Sequence, residues 1–173
     1  GLPMKIYKVF QTLDAIYIFL LSIGVGCIIC AGFSAATIFR AADFVPDLTR
    51  SDSGLIMGLI FIKCNYLFDF LAAVIIIYEL TSSYFTRYFS HAKHRKIWLL
   101  LGGVNVILIF LFTLYYTPYI MEAQALNTID TKAFDSMHKQ SELVFKILLI
   151  TLSASALWRG IIGTRPQHAN AQP

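Results

Sequence analysis

Charge is scarce in this sequence. Of its 173 residues, 14% are Asp, Glu, Lys or Arg, while 57% are hydrophobic. A soluble domain usually carries about 25% charged residues, most of them on its surface. With a mean hydropathy of +0.67, the composition excludes an ordinary soluble domain and makes lipid the medium around the chain. Cysteine is scarce as well. The three present, Cys27, Cys30 and Cys64, all lie within apolar runs, which excludes a disulfide framework. Alternating short strands are missing, so a transmembrane barrel is excluded: its strands alternate apolar and polar residues over about 10 positions. No P-loop, dinucleotide fingerprint or nucleophile–base–acid set occurs. The excess of positive charge, +4 at neutral pH, sits in short segments beside the apolar runs. It reads as a topology signal rather than as a nucleic-acid-binding surface.

What is present is four long apolar stretches, about 16–39, 54–80, 97–116 and 143–162. Each approaches or exceeds the roughly 20 residues that cross a bilayer as a helix. Helices satisfy their backbone hydrogen bonds internally, as a lipid environment demands. The expected fold is all-α: one polytopic domain over residues 1–173, a four-transmembrane-helix bundle. The first stretch is too long for a signal-peptide core and reads as a retained helix. Gly1-Leu2-Pro3 ahead of Met4 reads as an addition before a natural start.

Lys5, Lys8, Arg87, Lys93, Arg95, Lys96, Arg159 and Arg165 fall on one side, against Arg40, Arg50, Lys132 and Lys139 on the other. This bias predicts cytoplasmic N and C termini in a bacterial inner membrane. Trp98 and Trp158 would anchor the cytoplasmic interface, and Tyr115, Tyr116 and Tyr119 the outer one. Ser51 or Asp52 could cap the second helix, and Thr131 or Asp130 the segment leading into the fourth. Pro118 is expected to stop helix three. A short interfacial helix follows at about 119–128, and the tail 164–173 reads as disordered.

Charged residues inside apolar spans are costly and are therefore functional candidates. Lys63 and Asp69, with Asn65 one turn from Asp69, lie in the second stretch. Lys146 lies in the fourth, with Glu142 one turn before it and His138 and Ser141 at its mouth. A Glu142–Lys146 pair has the favourable i, i+4 order, and a Lys63–Glu142 contact across the bundle is a second option. Together these residues suggest a polar site opening outward; the alternative is a structural ion pair with long side chains snorkelling. Asp14 reads as a carboxylate at the start of helix one, favourable there without further function. Cys27 and Cys30 share a helix face, and Cys64 falls at a similar depth. Three thiols could hold a soft ion such as copper, though packing explains small apolar cysteines equally well.

The run Gly32-Phe33-Ser34-Ala35-Ala36-Thr37-Ile38-Phe39, the opening Gly54-Leu55-Ile56-Met57-Gly58 and Phe134-Asp135-Ser136-Met137-His138-Lys139-Gln140-Ser141 form a further pattern. They resemble the bacterial relatives of human transmembrane protein 205, a domain-of-unknown-function family whose last helix opens Phe-x-x-Leu-His-x-x-Ser. Here Met137 replaces the usual Leu, and Phe145 stands where that family often has Asn. More distantly, the four-helix layout is similar to the CopD copper-resistance domain and to the HemJ type of protoporphyrinogen oxidase. Three functions follow as expectations. The first is binding or transport of a small solute or soft cation. The second is a haem-pathway oxidoreductase. The third is a structural subunit or assembly factor, alone as a homo-oligomer or within a membrane complex.

Overall fold

The computed structural model describes residues 2–87 and 92–163, with the side chains of residues 2–4 left out of the description. The tail 164–173 and His91 lie outside the described residues. Among the described residues five α-helices follow in order: α1 (Leu2–Ala41), α2 (Arg50–Phe85), α3 (Ala92–Phe110), α4 (Thr117–Ala125) and α5 (Lys132–Ile162), with a π-helical segment, Leu111–Tyr116, joining α3 to α4. The α3–π–α4 run is one continuous helical rod, so among the described residues four helical spans are long and apolar enough to cross a membrane. The chain is a multi-pass membrane protein.

The helices outrun the apolar stretches. At 1.5 Å per residue, the 40-residue α1 is about 60 Å long, twice the hydrocarbon thickness. Polar residues continue each helix beyond the lipid because nothing in the sequence breaks it there. Thr49 caps α2: its side chain accepts from the Asp52 N–H while the Asp52 carboxylate accepts from the Thr49 N–H. Asp52 thus serves the cap from its third position. Thr131 caps α5 by accepting from the Phe134 N–H. Asn127 adopts positive φ just past α4, where a left-handed residue ends a helix.

Pro118 does not stop the third span. A proline inside an α-helix removes one N–H and presses its ring on the carbonyl four residues back. Here the preceding turns are π-helical, with the Thr117 N–H bonded to the Phe112 carbonyl five residues back. The wider turn relieves the clash, and the helix continues. The segment expected as an interfacial helix, about 119–128, is helical to Ala125 and follows the third span without a break. It leans on α2, where a Cβ at Gly58 would lie 2.7 Å from the Met121 sulfur.

In the bundle, α1 packs on α2 and α5, and α3 packs on α2 and α5, so α2 and α5 stand diagonally. Each of the four spans buries one stripe at three- and four-residue spacing, as at Leu21, Gly24, Ile28 and Ala31 in α1 or Leu148, Leu152 and Ala156 in α5. Midway along the bundle, Phe61, Phe68, Phe112 and Phe145 form an aromatic cluster. Its edge-to-face contacts run 5.5–6.3 Å between ring centres, and Phe112 stacks on Phe145 at 4.8 Å. Phe145 therefore fills the axis of the bundle.

Candidate functional site

The buried stripes do not stay apolar to their ends. Toward the end of the bundle where α1 begins, the next stripe positions are Asp14 and Tyr17 on α1, Tyr78 and Glu79 on α2, Trp98 on α3 and Arg159 on α5. Helical spacing delivers all of them to one level. Arg159 is 1% exposed and sits between the two carboxylates. Its Nη2 lies 2.5 Å from Glu79 Oε2, and its Nη1 lies 3.6 Å from Asp14 Oδ1. Tyr17 donates its hydroxyl to Glu79 Oε1 at 2.8 Å, and Tyr78 donates to Asp14 Oδ1. The guanidinium lies over the Trp98 ring at 4.1 Å and within 5.4 Å of the Tyr17 and Tyr78 ring centres.

Each spanning helix thus contributes to one ion centre. A guanidinium suits this position because it is planar, stacks on aromatic faces and offers several fixed donors. Removing one partner from such a buried pair costs about 3–5 kcal/mol, since an uncompensated charge stays behind. Gly102 lets α3 approach closely: a Cβ there would lie 2.9 Å from Glu79 Cγ. One turn deeper, Asn105 donates to the Ser155 hydroxyl at 2.8 Å and ties α3 to α5.

Sequence reasoning missed this centre. Asp14 is not at a helix start. α1 begins at Leu2, so Asp14 lies three turns in, buried and paired. In the sequence Arg159 reads only as a topology charge, and Glu79 and the two tyrosines lie at the ends of apolar runs without a motif of their own. The signal that would have found them is the buried stripe itself, continued past the apolar run to the charged positions that share its face.

Of the residues expected to form an outward polar site, His138, Ser141 and Glu142 meet on α5, whereas Lys63, Asp69 and Lys146 form no ion pair with them among the described residues. Lys63, Asp69 and Lys146 are exposed on the outside of the bundle, within spans long and apolar enough to cross a membrane. The Lys63 ammonium lies 5.9 Å from the centre of the Tyr66 ring. Neither a Lys63–Glu142 nor a Glu142–Lys146 ion pair forms among the described residues: Glu142 pairs instead with His138 at 3.5 Å. The diagonal placement of α2 and α5, with phenylalanines between them, keeps Lys63 away from α5. Ser141 is buried and donates to the His138 carbonyl, while Asn65 is buried with its Oδ1 unpaired. Among the cysteines, Cys27 and Cys64 are half-buried against the core, and Cys30 is exposed on the same stretch of α1. Among the described residues, no three His, Cys, Asp or Glu side chains gather in a metal-holding set.

Residues 19–128 match the sequence model of a family described as a domain of unknown function, DUF4149. The chain belongs to that family. No curated protein matches the chain, and no solved structure matches it. The DUF4149 match contains Lys63, Asp69, Glu79 and Trp98, whereas Asp14, Tyr17 and Arg159 lie outside it. The ion centre therefore joins the DUF4149 region to the flanking parts of the chain.

Proposed function

We propose that this protein is a structural or assembly component of an inner-membrane complex, with both termini cytoplasmic. The observation that carries this reading is the contrast between a filled interior and a charged exterior. The bundle axis is occupied by phenylalanines and by a paired ion centre, while Lys63, Asp69 and Lys146 point out from apolar spans. A charge facing hydrocarbon costs at least about 2.5–3.5 kcal/mol near the bilayer centre. Another membrane-embedded chain bearing matching polar groups would remove that cost. The test is purification of the tagged full-length chain in mild detergent. The expected result is a particle larger than one chain. A lone monomer, both in detergent and in lipid vesicles, overturns the reading.

A soft-cation reading draws support from three free thiols, with Cys27 and Cys64 half-buried against the core and Cys30 exposed one turn from Cys27. Metal analysis after copper loading separates the two: binding by the wild type that is lost in a triple Cys→Ser variant would favour it. A haem-pathway reading calls for a histidine inside the bundle. His94 packs against Trp98 and Trp158 at one end, and His138 stands at the other. The likeness to relatives of transmembrane protein 205 near Phe134–Ser141 lies beyond the DUF4149 match and adds no activity to these readings.

A further inference from the structure

On the reading that this chain assembles within the membrane, we infer that one partner is a second copy of itself, docked in parallel through the outer face of α2 with Lys63 of each copy paired to Asp69 of the other. Three features of that face support the inference.

The first is spacing. Leu59, Lys63, Tyr66, Phe70, Ala73 and Ile77 are all exposed, and the intervals between them alternate four and three residues. That alternation places side chains along one seam, the pattern by which two helices interlock. The opposite stripe of α2, with Phe68, Leu71, Ala72 and Ile75, is already buried in the bundle.

The second is charge. The seam region carries one cation and one anion, and neither has an oppositely charged partner within its own chain among the described residues. At 3.6 residues per turn, Lys63 and Asp69 are about 120° apart around the helix and about 9 Å apart along it. They therefore lie on either side of the Tyr66–Phe70–Ala73 line. When two such helices pack side by side in parallel, the flank bearing Lys63 meets the flank of the second copy bearing Asp69. The twofold axis repeats the pair, as an isologous contact requires. One face carrying both signs complements itself.

The third is posture. The Lys63 ammonium lies by Tyr66, one turn toward Asp69, rather than extended away along the helix. The long stem of lysine can cover the remaining axial offset.

The experiment measures dimerisation of the full-length chain in lipid vesicles by energy transfer between labelled copies diluted over a range of lipid ratios. Four forms are compared: wild type, K63D, D69K and the double exchange K63D/D69K. Helix content and thermal melting in detergent confirm that each form folds. The expected result is a wild-type dimer. Each single exchange should weaken association about tenfold, the scale of one interhelical polar pair in a membrane. The double exchange should restore it. Equal association in all four forms overturns the α2 interface. A wild-type chain that does not self-associate, yet co-purifies with a different membrane protein through Lys63 and Asp69, overturns the second-copy inference and leaves the assembly reading standing. A monomer with no partner overturns both.

Discussion

Helix α2 carries two membrane-level carboxylates ten residues apart, Asp69 and Glu79, and they meet opposite surroundings. Glu79 is 6% exposed and holds a guanidinium and a tyrosine hydroxyl supplied by α5 and α1. Asp69 faces outward, and no described residue pairs with it. The ten-residue step places them about 15 Å apart, one near the middle of the apolar layer and one at its edge. The difference teaches that the same residue type on one helix can serve two audiences. Glu79 fastens the chain to itself, and Asp69 is left exposed on the outside of the bundle.

The largest effect that would break this comparison is at Arg159. R159M leaves Asp14 and Glu79 buried without their cation and should lower the stability of the purified chain by about 3–5 kcal/mol in detergent unfolding. A loss below about 1 kcal/mol would mean that the centre does not hold the bundle together. Next comes a matched pair on α3. Gly102→Val drives a side chain into Glu79 and should cost about 1–3 kcal/mol. Gly103→Val, where a Cβ meets nothing within 4 Å, should change stability by about 0.5 kcal/mol or less. Similar losses at both glycines would show that helix propensity, not contact with Glu79, sets the outcome. The smallest effect on folding is expected at Asp69. D69N should leave monomer unfolding within about 0.5 kcal/mol of wild type, although association in lipid falls. Unfolding of D69N in detergent would place Asp69 among the residues that hold the fold.

Much of the fold was legible because its signal is continuous. Four apolar runs of membrane length can form little but helices, and Thr131 stood where a cap was expected. Helix ends were less legible. Hydropathy reports where lipid ends, whereas a helix ends where capping or backbone chemistry stops it. Thus α1 starts near Leu2 rather than at Asp14. The fate of Pro118 depends on hydrogen bonding in the turns before it, which composition does not encode. Residue counts put Cys27 and Cys64 at a similar depth, and both sit half-buried against the core. The orientation of Lys63 and Lys146 could not, because a charged residue in an apolar span has two costly choices, interior or lipid. Only the packing of the other faces decides between them. On α2 the interior stripe was already taken by Phe68, Leu71 and Ile75.

The π-helical segment at Leu111–Tyr116 gives the third span a phase control. A π turn holds about one residue more than an α turn, so all that follows is rotated relative to a plain helix. Met121 and Gln124 reach Gly58 and Gly54 only with that added residue in place. Deleting a single residue within 111–116 would restore regular winding, turn the two side chains by about 100° away from α2, and bring Pro118 back against a tightened backbone. The site should therefore tolerate substitution far better than a change in length.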